Sequence, residues 1–278
     1  MTIRIVTDST CDLPADIIQE HAIEVVPLYI NFGDEGYLDG VEIARADFYK
    51  GLPNYKDFPT TAVPGIDAFR KAYQRLAHEG ASEILSIHIS ESLSATVDVA
   101  RSAAQAFKTL PVRVLDSQQL SLGTGFLVEA AAKAAAAGKR MQEIMAQLQD
   151  QIQRTHVFAA LDTLEFLKRS GRMSGVVAGI GSLLQIKPLL KMYAGEPTSE
   201  RVRTSNGAFS RILELLRERS PLERVALVHT HCAEKAEALR KAAADLLPEG
   251  ELLSVDITPV IGAHIGPGAA GFACIEAH

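Results

Sequence analysis

The first half of the chain alternates short apolar runs with stretches in which apolar residues recur every three or four positions. The apolar runs predict buried strands at residues 3–7, 84–89 and 112–115, with a further strand over residues 24–31. The spaced apolar residues predict helices over residues 65–76 and 93–107, an alanine-rich helix that ends near Ala137, and a helix over 141–152. This alternation predicts βαβ units and a largely parallel sheet.

The second half continues the pattern less regularly. Strands are expected at residues 157–161, 186–192, 225–228, 252–257 and 271–276, and helices near residues 164–167, 208–216 and 236–246. Two segments lack a clear period. Residues 32–59 look irregular apart from a short helix at 46–49, and residues 257–272 read as an apolar strand that enters a sharp loop at His264. Near the N-terminus, Asp12 is expected to cap a helix that has Pro14 in its first turn.

A length of 278 residues is sufficient for one large or two medium domains. We predict an α/β fold with an N-terminal α/β domain over residues 1–155, whose sheet is mainly parallel, and a C-terminal α/β domain over residues 156–278. In open α/β sheets ligands collect at the carboxyl ends of the strands. Polar residues follow three predicted strands at those ends, namely Asp8-Ser9, Ser90-Glu91-Ser92 and Asp116-Ser117.

Composition excludes several classes of function. Hydrophobic residues make up 47% of the chain and charged residues 22%, as in ordinary folded proteins. The net charge of -6 and the absence of a long basic run argue against a nucleic-acid partner. Three scattered cysteines form neither a disulfide framework nor a zinc motif, which fits a reducing compartment. We see no secretory signal and no apolar run of the ~20 residues that a bilayer span needs, so a cytoplasmic location is expected.

Sequence signatures for common catalytic and cofactor chemistry are missing. Gly123-Thr124-Gly125 lacks the spacing of a dinucleotide fingerprint, and neither a phosphate-binding Walker loop nor a G-x-S-x-G nucleophile elbow occurs. His229-Thr230-His231 is a weak metal signal, because we do not expect the two imidazoles to converge on one ion. The sequence therefore predicts neither a metal nor a cofactor.

The candidate chemistry is a set of neutral hydroxyls together with one histidine. His264 precedes Gly266-Pro267-Gly268, a bend that can hold an imidazole rigidly. Hydroxyls and an imidazole suit an anionic head group such as a carboxylate, while an apolar, glycine-rich surrounding suits an apolar tail. Two other interpretations stay open: these residues are plain turns and helix caps, or Ser94 or Ser117 is a nucleophile with His264 as its base.

Six ordered segments resemble motifs of the DegV family of bacterial fatty-acid-binding proteins, over essentially the whole chain. Thr7 to Pro14 resembles the family's D-S-x-x-D-L-P opening, and Thr61 to Gly65 lies where the family has T-S-x-P-S. The other four segments resemble I-S-S-x-L-S-G-T, V-D-S, L-x-x-L-x-x-G-G-R and I-G-x-H-x-G-P-G, and they are residues 89–96, 115–125, 164–172 and 261–268.

The resemblance implies two α/β domains that enclose one long-chain fatty acid in a tunnel at their junction. It implies that Thr61 and Ser94 hydrogen-bond the carboxylate, that His264 lies beside the same head group, and that Arg172 lies at the mouth. In firmicute members of the family the protein presents the acid to a separate ATP-dependent kinase, which makes an acyl phosphate. The chain is therefore expected to bind and present a lipid, to carry no cofactor and to perform no chemistry of its own.

Four substitutions depart from the family pattern. Ala62 and Gly65 lack hydroxyls that many relatives carry, Ala95 replaces a glycine beside Ser94, and Ser170 replaces the first glycine of G-G-R. Two alternatives compete with the lipid-presenting function. One is an acyl hydrolase that uses Ser94 and His264, and the other is a storage or interaction protein whose lipid never exchanges.

Overall fold

The structure, a computed structural model, describes residues 2–55, 57–172, 187–250 and 252–278. The strands are β1 (Ile3–Asp8), β2 (Glu24–Val26), β3 (Tyr29–Phe32), β4 (Glu35–Leu38), β5 (Thr60–Ala62), β6 (Glu83–His88), β7 (Val112–Asp116), β8 (Thr155–Ala160), β9 (Lys187–Tyr193), β10 (Glu196–Val202), β11 (Leu222–His229), β12 (Ser254–Asp256) and β13 (Ala270–Glu276). The helices are α1 (Ala15–Glu20), α2 (Arg45–Gly51), α3 (Ile66–His78), α4 (Thr96–Ala106), α5 (Ser121–Ala136), α6 (Met141–Arg154), α7 (Glu165–Arg169), α8 (Ser205–Glu218), α9 (Ala233–Ala242) and α10 (Pro259–Ile265).

The strands form three sheets. A four-stranded sheet has the order β2-β1-β6-β7 with every pair parallel, which confirms the α/β fold class and the parallel sheet expected in the first half. A six-stranded sheet has the order β10-β9-β8-β13-β11-β12 and is antiparallel except between β11 and β12. A small antiparallel sheet, β4-β3-β5, lies beside them.

Helix α5 packs between the two large sheets. Twelve of its sixteen residues are buried, and it contacts β1 and β6 on one side and β8, β11 and β13 on the other. A helix that is apolar all round must be covered on every side. One continuous core therefore runs from the four-stranded sheet through α5 to the six-stranded sheet, and includes Leu85, Phe126 and Val157.

The alternation of side chains along the strands gives the six-stranded sheet two apolar faces. Val157, Val228 and Ala273 point towards α5, while their neighbours Phe158, Leu227 and Phe272 pack in a separate core with α8 and α9. Successive residues on a strand point to opposite faces, so both faces of this sheet need apolar residues. This explains why its central strands read as continuous apolar runs.

Asp12 does not cap a helix, contrary to expectation. It lies in a left-handed conformation after a 3₁₀ turn, and α1 begins at Ala15 with Pro14 as its N-cap. The carboxylate is buried, accepts hydrogen bonds from Ser121 Oγ and from the Thr258 amide at 2.8 Å, and lies 3.1 Å from Arg45 Nη2. Burial raises the pKa of the Asp12 carboxyl to about 6 although Arg45 pulls in the opposite direction. Asp12 thus joins the starts of α2, α5 and α10.

The structure corrects four further expectations. Residues 24–31 are two strands in different sheets, because Pro27 has no amide hydrogen to continue a ladder. The segment expected to be irregular contains β4, whereas its predicted short helix at 46–49 is confirmed by α2, and β10 was not predicted. Ile66 was expected on a buried face but is 45% exposed. The predicted start of β9 at Ile186 lies outside the described residues, and the division into domains at residue 155 stays a prediction.

Gly123 and Gly125 let α5 approach both sheets. A Cβ at Gly123 would lie 2.7 Å from Val157 Cγ2 of β8, and a Cβ at Gly125 would lie 2.5 Å from the carbonyl oxygen of Cys11, just after β1. Residues two apart on a helix point about 200° apart, so the two glycines face opposite neighbours.

We predict that Gly125→Ala lowers the free energy of unfolding by about 2 kcal/mol. Overpacking costs about 1–3 kcal/mol, with the upper end expected because the obstructing atom is backbone, and this exceeds the ~1 kcal/mol that alanine gains in helix propensity. Urea unfolding at 25 °C measures the difference. Gly65→Ala is the matched control, since a Cβ there meets nothing within 4 Å. Equal stability of the two variants would contradict the close approach of α5.

Candidate functional site

A cavity of about 460 Å³ lies at the N-terminal end of α5, between the two large sheets. Leu120 and Ser121 at the start of α5 form part of its wall. The six-stranded sheet contributes alternate residues from its α5-facing side, which are Val157, Ala159, Leu190, Met192 and Val228. Aliphatic residues of α10 and of the segment after β6 form a further part of the wall. The predicted apolar tunnel therefore corresponds to a cavity lined by the six-stranded sheet, by β5, by α10 and by the segment after β6.

Thr61 and His264 meet at the wall of this cavity. Thr61 lies on β5, paired with Ile30 of β3, and its Oγ1 is 3.0 Å from His264 Nε2. His264 was expected in a loop at the end of a strand, and that expectation was wrong. It lies in the last turn of α10, whose N-terminal residue is Pro259.

Gly266 ends α10 immediately after the site histidine. Its φ is +75° and its amide donates to the Gly262 carbonyl, as in a helix C-cap. A Cβ at Gly266 would also collide with the Phe166 ring of α7. Gly268 also has a positive φ, +84°, so both glycines of the Gly-Pro-Gly segment adopt a conformation that favours glycine.

Ser94 lies at the N-terminus of α4 and lines the same cavity. Its Oγ accepts a hydrogen bond from the Thr96 amide at 3.3 Å and lies 2.8 Å from Thr96 Oγ1. The amides of the first turn and the positive end of the helix dipole therefore face the region of Ser94, an arrangement that favours an anionic group. Ser94 is half-buried, whereas the following Ala95 is exposed.

The imidazole of His264 is neutral at pH 7. Burial in the apolar wall lowers its pKa to about 4, and the positive charge of Arg172 acts in the same direction. Among the residues that the structure describes, none is a hydrogen-bond partner for its buried Nδ1. Thr61, Ser94 and His264, which all line the cavity, therefore carry uncharged hydrogen-bonding groups.

Charged side chains are among the exposed residues that line the cavity. Arg172 lines the cavity and is exposed, and its Nη1 donates to the Ser170 carbonyl at 2.8 Å. Glu91 and Asp98 are also exposed lining residues, and both pair with Arg101. The exposed lining residues thus carry charges of both signs.

The hydrolase alternative finds no support in these contacts. Within the described residues no hydrogen bond joins Ser94 to His264, since the serine contacts Thr96 and the histidine contacts Thr61. Ser117, the other candidate nucleophile, is buried against Thr124 and Gln119.

An aspartate, a histidine and a serine do line up elsewhere, as Asp8, His88 and Ser86. The two contacts are 3.0 Å and 2.6 Å long, but all three side chains are fully buried, and Ser86 Oγ also lies 3.0 Å from Tyr73 OH. An acyl substrate cannot reach this serine. The sequence analysis missed His88, the last residue of β6 and the penultimate residue of the strand predicted at 84–89; its only signal was a polar residue near a strand end.

His229 and His231 both approach Asp256, so the expectation that they diverge was wrong. Their Nδ1 atoms lie 3.6 and 3.5 Å from its two carboxylate oxygens. In the described part of the chain, no group of three or more histidine, cysteine or acidic side chains could hold a metal ion. Among these same residues, no helix is long and apolar enough to cross a membrane.

Comparisons with known proteins cover the chain from end to end. The family model described as "Uncharacterised protein, DegV family" matches residues 2–277. A DegV domain-containing protein of Streptomyces coelicolor is 36% identical over 275 residues, which is 97% of this chain and 96% of that protein.

Solved structures of other proteins also have folds similar to that of this chain. A fatty-acid-binding DegV family protein from Thermus thermophilus is 36% identical with a TM-score of 0.91, and covers 100% of both chains. DegV of Bacillus subtilis, a fatty-acid-binding protein, is 30% identical with a TM-score of 0.90 over 99% of both chains. With the family model matched across its whole length and relatives above 30% identity, the chain belongs to the DegV family.

Proposed function

We propose that this protein binds one long-chain fatty acid in the cavity, with the carboxylate at Thr61, Ser94 and His264. The observation that carries the proposal is an apolar cavity with three uncharged hydrogen-bonding side chains on its wall, one of them at a helix N-terminus. The fatty acids bound by the relatives from Thermus thermophilus and Bacillus subtilis support this choice of ligand. The acid itself is the ligand, and the proposal includes no cofactor.

The tail supplies most of the affinity in this proposal. Burying one methylene contributes about 0.8 kcal/mol, so a dozen give roughly 10 kcal/mol before the costs of ordering. A hydrogen bond to a charged group adds about 1.5–3 kcal/mol, much of it offset by desolvation. The hydroxyls therefore mainly set the orientation of the head group.

The contact between His264 and Thr61 favours one direction of hydrogen bonding. Nδ1 of His264 is buried and has no partner within the described ranges of the chain, and an unpaired buried N–H donor is rarer than an unpaired acceptor. The favoured tautomer thus carries its proton on Nε2 and donates it to Thr61 Oγ1. The Thr61 hydroxyl is then free to donate to a carboxylate oxygen in the cavity.

We further propose that the bound acid is presented to a separate ATP-dependent kinase that forms an acyl phosphate. Exposed residues next to the head-group side chains, Ala95 and Arg172, support a carboxylate close to the surface. The protein itself performs no chemistry in this scheme and works in the cytoplasm. The two-domain division at residue 155 and the place of Arg172 at the mouth belong to the same proposal.

Native mass spectrometry of the purified protein tests ligand binding directly. We expect a mass increase that corresponds to one fatty acid, which organic extraction then identifies. Added isotope-labelled acid should replace it, because a presenting protein must exchange its ligand. A ligand-free mass after growth in lipid-rich medium would refute binding, and a bound lipid that never exchanges would favour storage.

Removing one head-group hydroxyl should impair presentation of the acid more than it weakens binding, because the buried tail is unchanged. We expect Thr61→Val and Ser94→Ala to weaken binding of palmitate by about tenfold each, as for one hydrogen bond to a charged group. Binding of hexadecanol should change little. Acyl phosphate formation with a cognate kinase and ATP should fall further than binding does.

Neighbouring exposed hydroxyls provide the matched controls for this pair. Thr60→Val and Ser102→Ala alter exposed residues of β5 and α4 and should leave both ligands unaffected. Ser94→Ala also removes a cap of α4, so its unfolding is measured in parallel. Equal losses for palmitate and hexadecanol would contradict a head-group role.

The pKa of His264 should report the charge of the head group. In the ligand-free protein we expect titration near pH 4, and a bound carboxylate should raise this pKa whereas hexadecanol should not. Because the folded-state pKa lies below the ordinary 6.5, the contribution to stability is complete above pH 6.5 and is lost as the pH falls towards 4. NMR of labelled histidines, assigned with His264→Gln, measures the shift. An identical pKa with acid and alcohol would remove His264 from the head-group site.

A further inference from the structure

Four buried side chains form a hydrogen-bonded chain behind the cavity. Asp8 Oδ2 lies 3.0 Å from His88 Nδ1, His88 Nε2 lies 2.6 Å from Ser86 Oγ, and Ser86 Oγ lies 3.0 Å from Tyr73 OH. Asp8, Ser86, His88 and Tyr73 are all fully buried. This buried chain crosses from the carboxyl end of β1 through β6 to the middle of α3.

Asp8 at one end of the buried chain is ionised, and both of its carboxylate oxygens accept hydrogen bonds. Burial alone would raise the pKa of this carboxyl, but the contacts with His88, Thr10 and the Ile89 amide lower it below its ordinary value. Oδ2 accepts from the Ile89 amide at 3.1 Å, and Oδ1 accepts from the amide and the hydroxyl of Thr10. Breaking a contact here leaves a buried charge short of a partner, which is costly.

The buried chain joins the two segments that carry the head-group hydroxyls. The Ile89 amide, held by Asp8, starts the segment that continues to Ser94, and Ile89 itself lines the cavity. The Ser94 amide then donates to the Ser90 carbonyl at 3.1 Å. At the other end, Tyr73 belongs to α3, which begins four residues after Ala62, the last residue of the strand that carries Thr61.

His88 is the central link between these segments. Each ring nitrogen contacts one neighbour in the buried chain, and the Phe69 ring of α3 lies edge-on at 5.1 Å. We infer that His88 is a positioning residue that fixes Ser94 relative to Thr61, so that both hydroxyls reach one head group. The inference rests on the proposed function, because the consequence that it predicts concerns binding of a carboxylate.

Two substitutions separate the two contacts of His88. An asparagine can replace the Nδ1 contact with Asp8 but not the contact with Ser86, and a glutamine can replace the contact with Ser86. We expect His88→Asn and His88→Gln each to reduce the preference for palmitate over hexadecanol by about tenfold, the worth of one hydrogen bond to a charged group. Hexadecanol affinity should stay within about twofold of the unmodified protein, since the tail pocket is unchanged.

Tyr73→Phe tests the same chain without altering His88. It removes the last hydroxyl and keeps the ring, so folding is retained even where a His88 variant fails to fold. We expect a loss of about threefold in the same preference, as for a neutral hydrogen bond.

Leu216→Ala serves as the destabilised control. Leu216 is fully buried in the core on the opposite face of the six-stranded sheet, so this change should lower stability without altering the palmitate-to-hexadecanol ratio. A purely structural role for His88 would give the same result as Leu216→Ala, with both ligands weakened equally or neither affected, and that result would overturn the inference.

Amide hydrogen exchange in the ligand-free protein provides a readout that does not depend on binding. We expect exchange at Ile89 to Ser94 to accelerate at least about tenfold in His88→Asn relative to Leu216→Ala of matched stability. If the unmodified protein bound neither palmitate nor hexadecanol, the proposed function would fail while the exchange data still decided the role of His88. Unchanged exchange in this segment would overturn the positioning role itself.

Discussion

The close approach of helix α5 to both large sheets is the constraint on which the rest of the structure depends. The backbone of α5 has no space for a Cβ at Gly123 on one side or at Gly125 on the other. This contact fixes the separation of the sheets and lets one apolar core extend through both. Where α5 begins, at Ser121, the helix no longer fills the space between the sheets, and the cavity lies there. The binding space is thus a consequence of where the central helix starts.

Two buried aspartates in one short segment hold the walls of that cavity. Asp8 fixes the ends of β1 and β6, from which the Ser94 segment departs. Asp12, four residues later, accepts from Ser121 at the start of α5 and from Thr258 at the N-cap of α10. A buried carboxylate is costly unless all its oxygens are bonded, so each geometry is strongly specified. Asp8 and Asp12 therefore have structural roles, although both lie in the segment that resembles the family's D-S-x-x-D-L-P motif.

The elements with strong periodicity followed directly from the sequence, and those that depend on tertiary context did not. Buried parallel strands and amphipathic helices carry their own pattern, as at β6 and α6. Helix α10 spans seven almost wholly buried residues, so it shows no amphipathic period and resembled a strand. β10 is a polar edge strand, and its alternation is masked by Pro197 and by charged residues.

The site residues were likewise predictable from local sequence motifs, whereas the contacts between them depend on long-range pairing and were not. Thr61, Ser94 and His264 were named from motifs, and the structure brings all three to one cavity wall. The pairing of Thr61 with His264 links residues 203 positions apart, and that of Asp8 with His88 links residues 80 apart. Such pairs leave no trace in local hydrophobicity or turn chemistry, because they are set by which strands become neighbours. The buried chain through His88 could be found only after the order β2-β1-β6-β7 was known.

The uncharged site at Thr61, Ser94 and His264 suits the ligand exchange that we propose. A buried cation beside the carboxylate would strengthen binding, but it would itself need desolvation and would hold the acid against exchange. Here the imidazole of His264 is kept neutral by burial, and the nearest guanidinium, that of Arg172, is exposed. The hydroxyls and the first turn of α4 can orient a carboxylate without a full opposing charge. In the proposed function, affinity then rests on the tail and orientation on the head, so a change at the head group would alter presentation while the lipid stays bound.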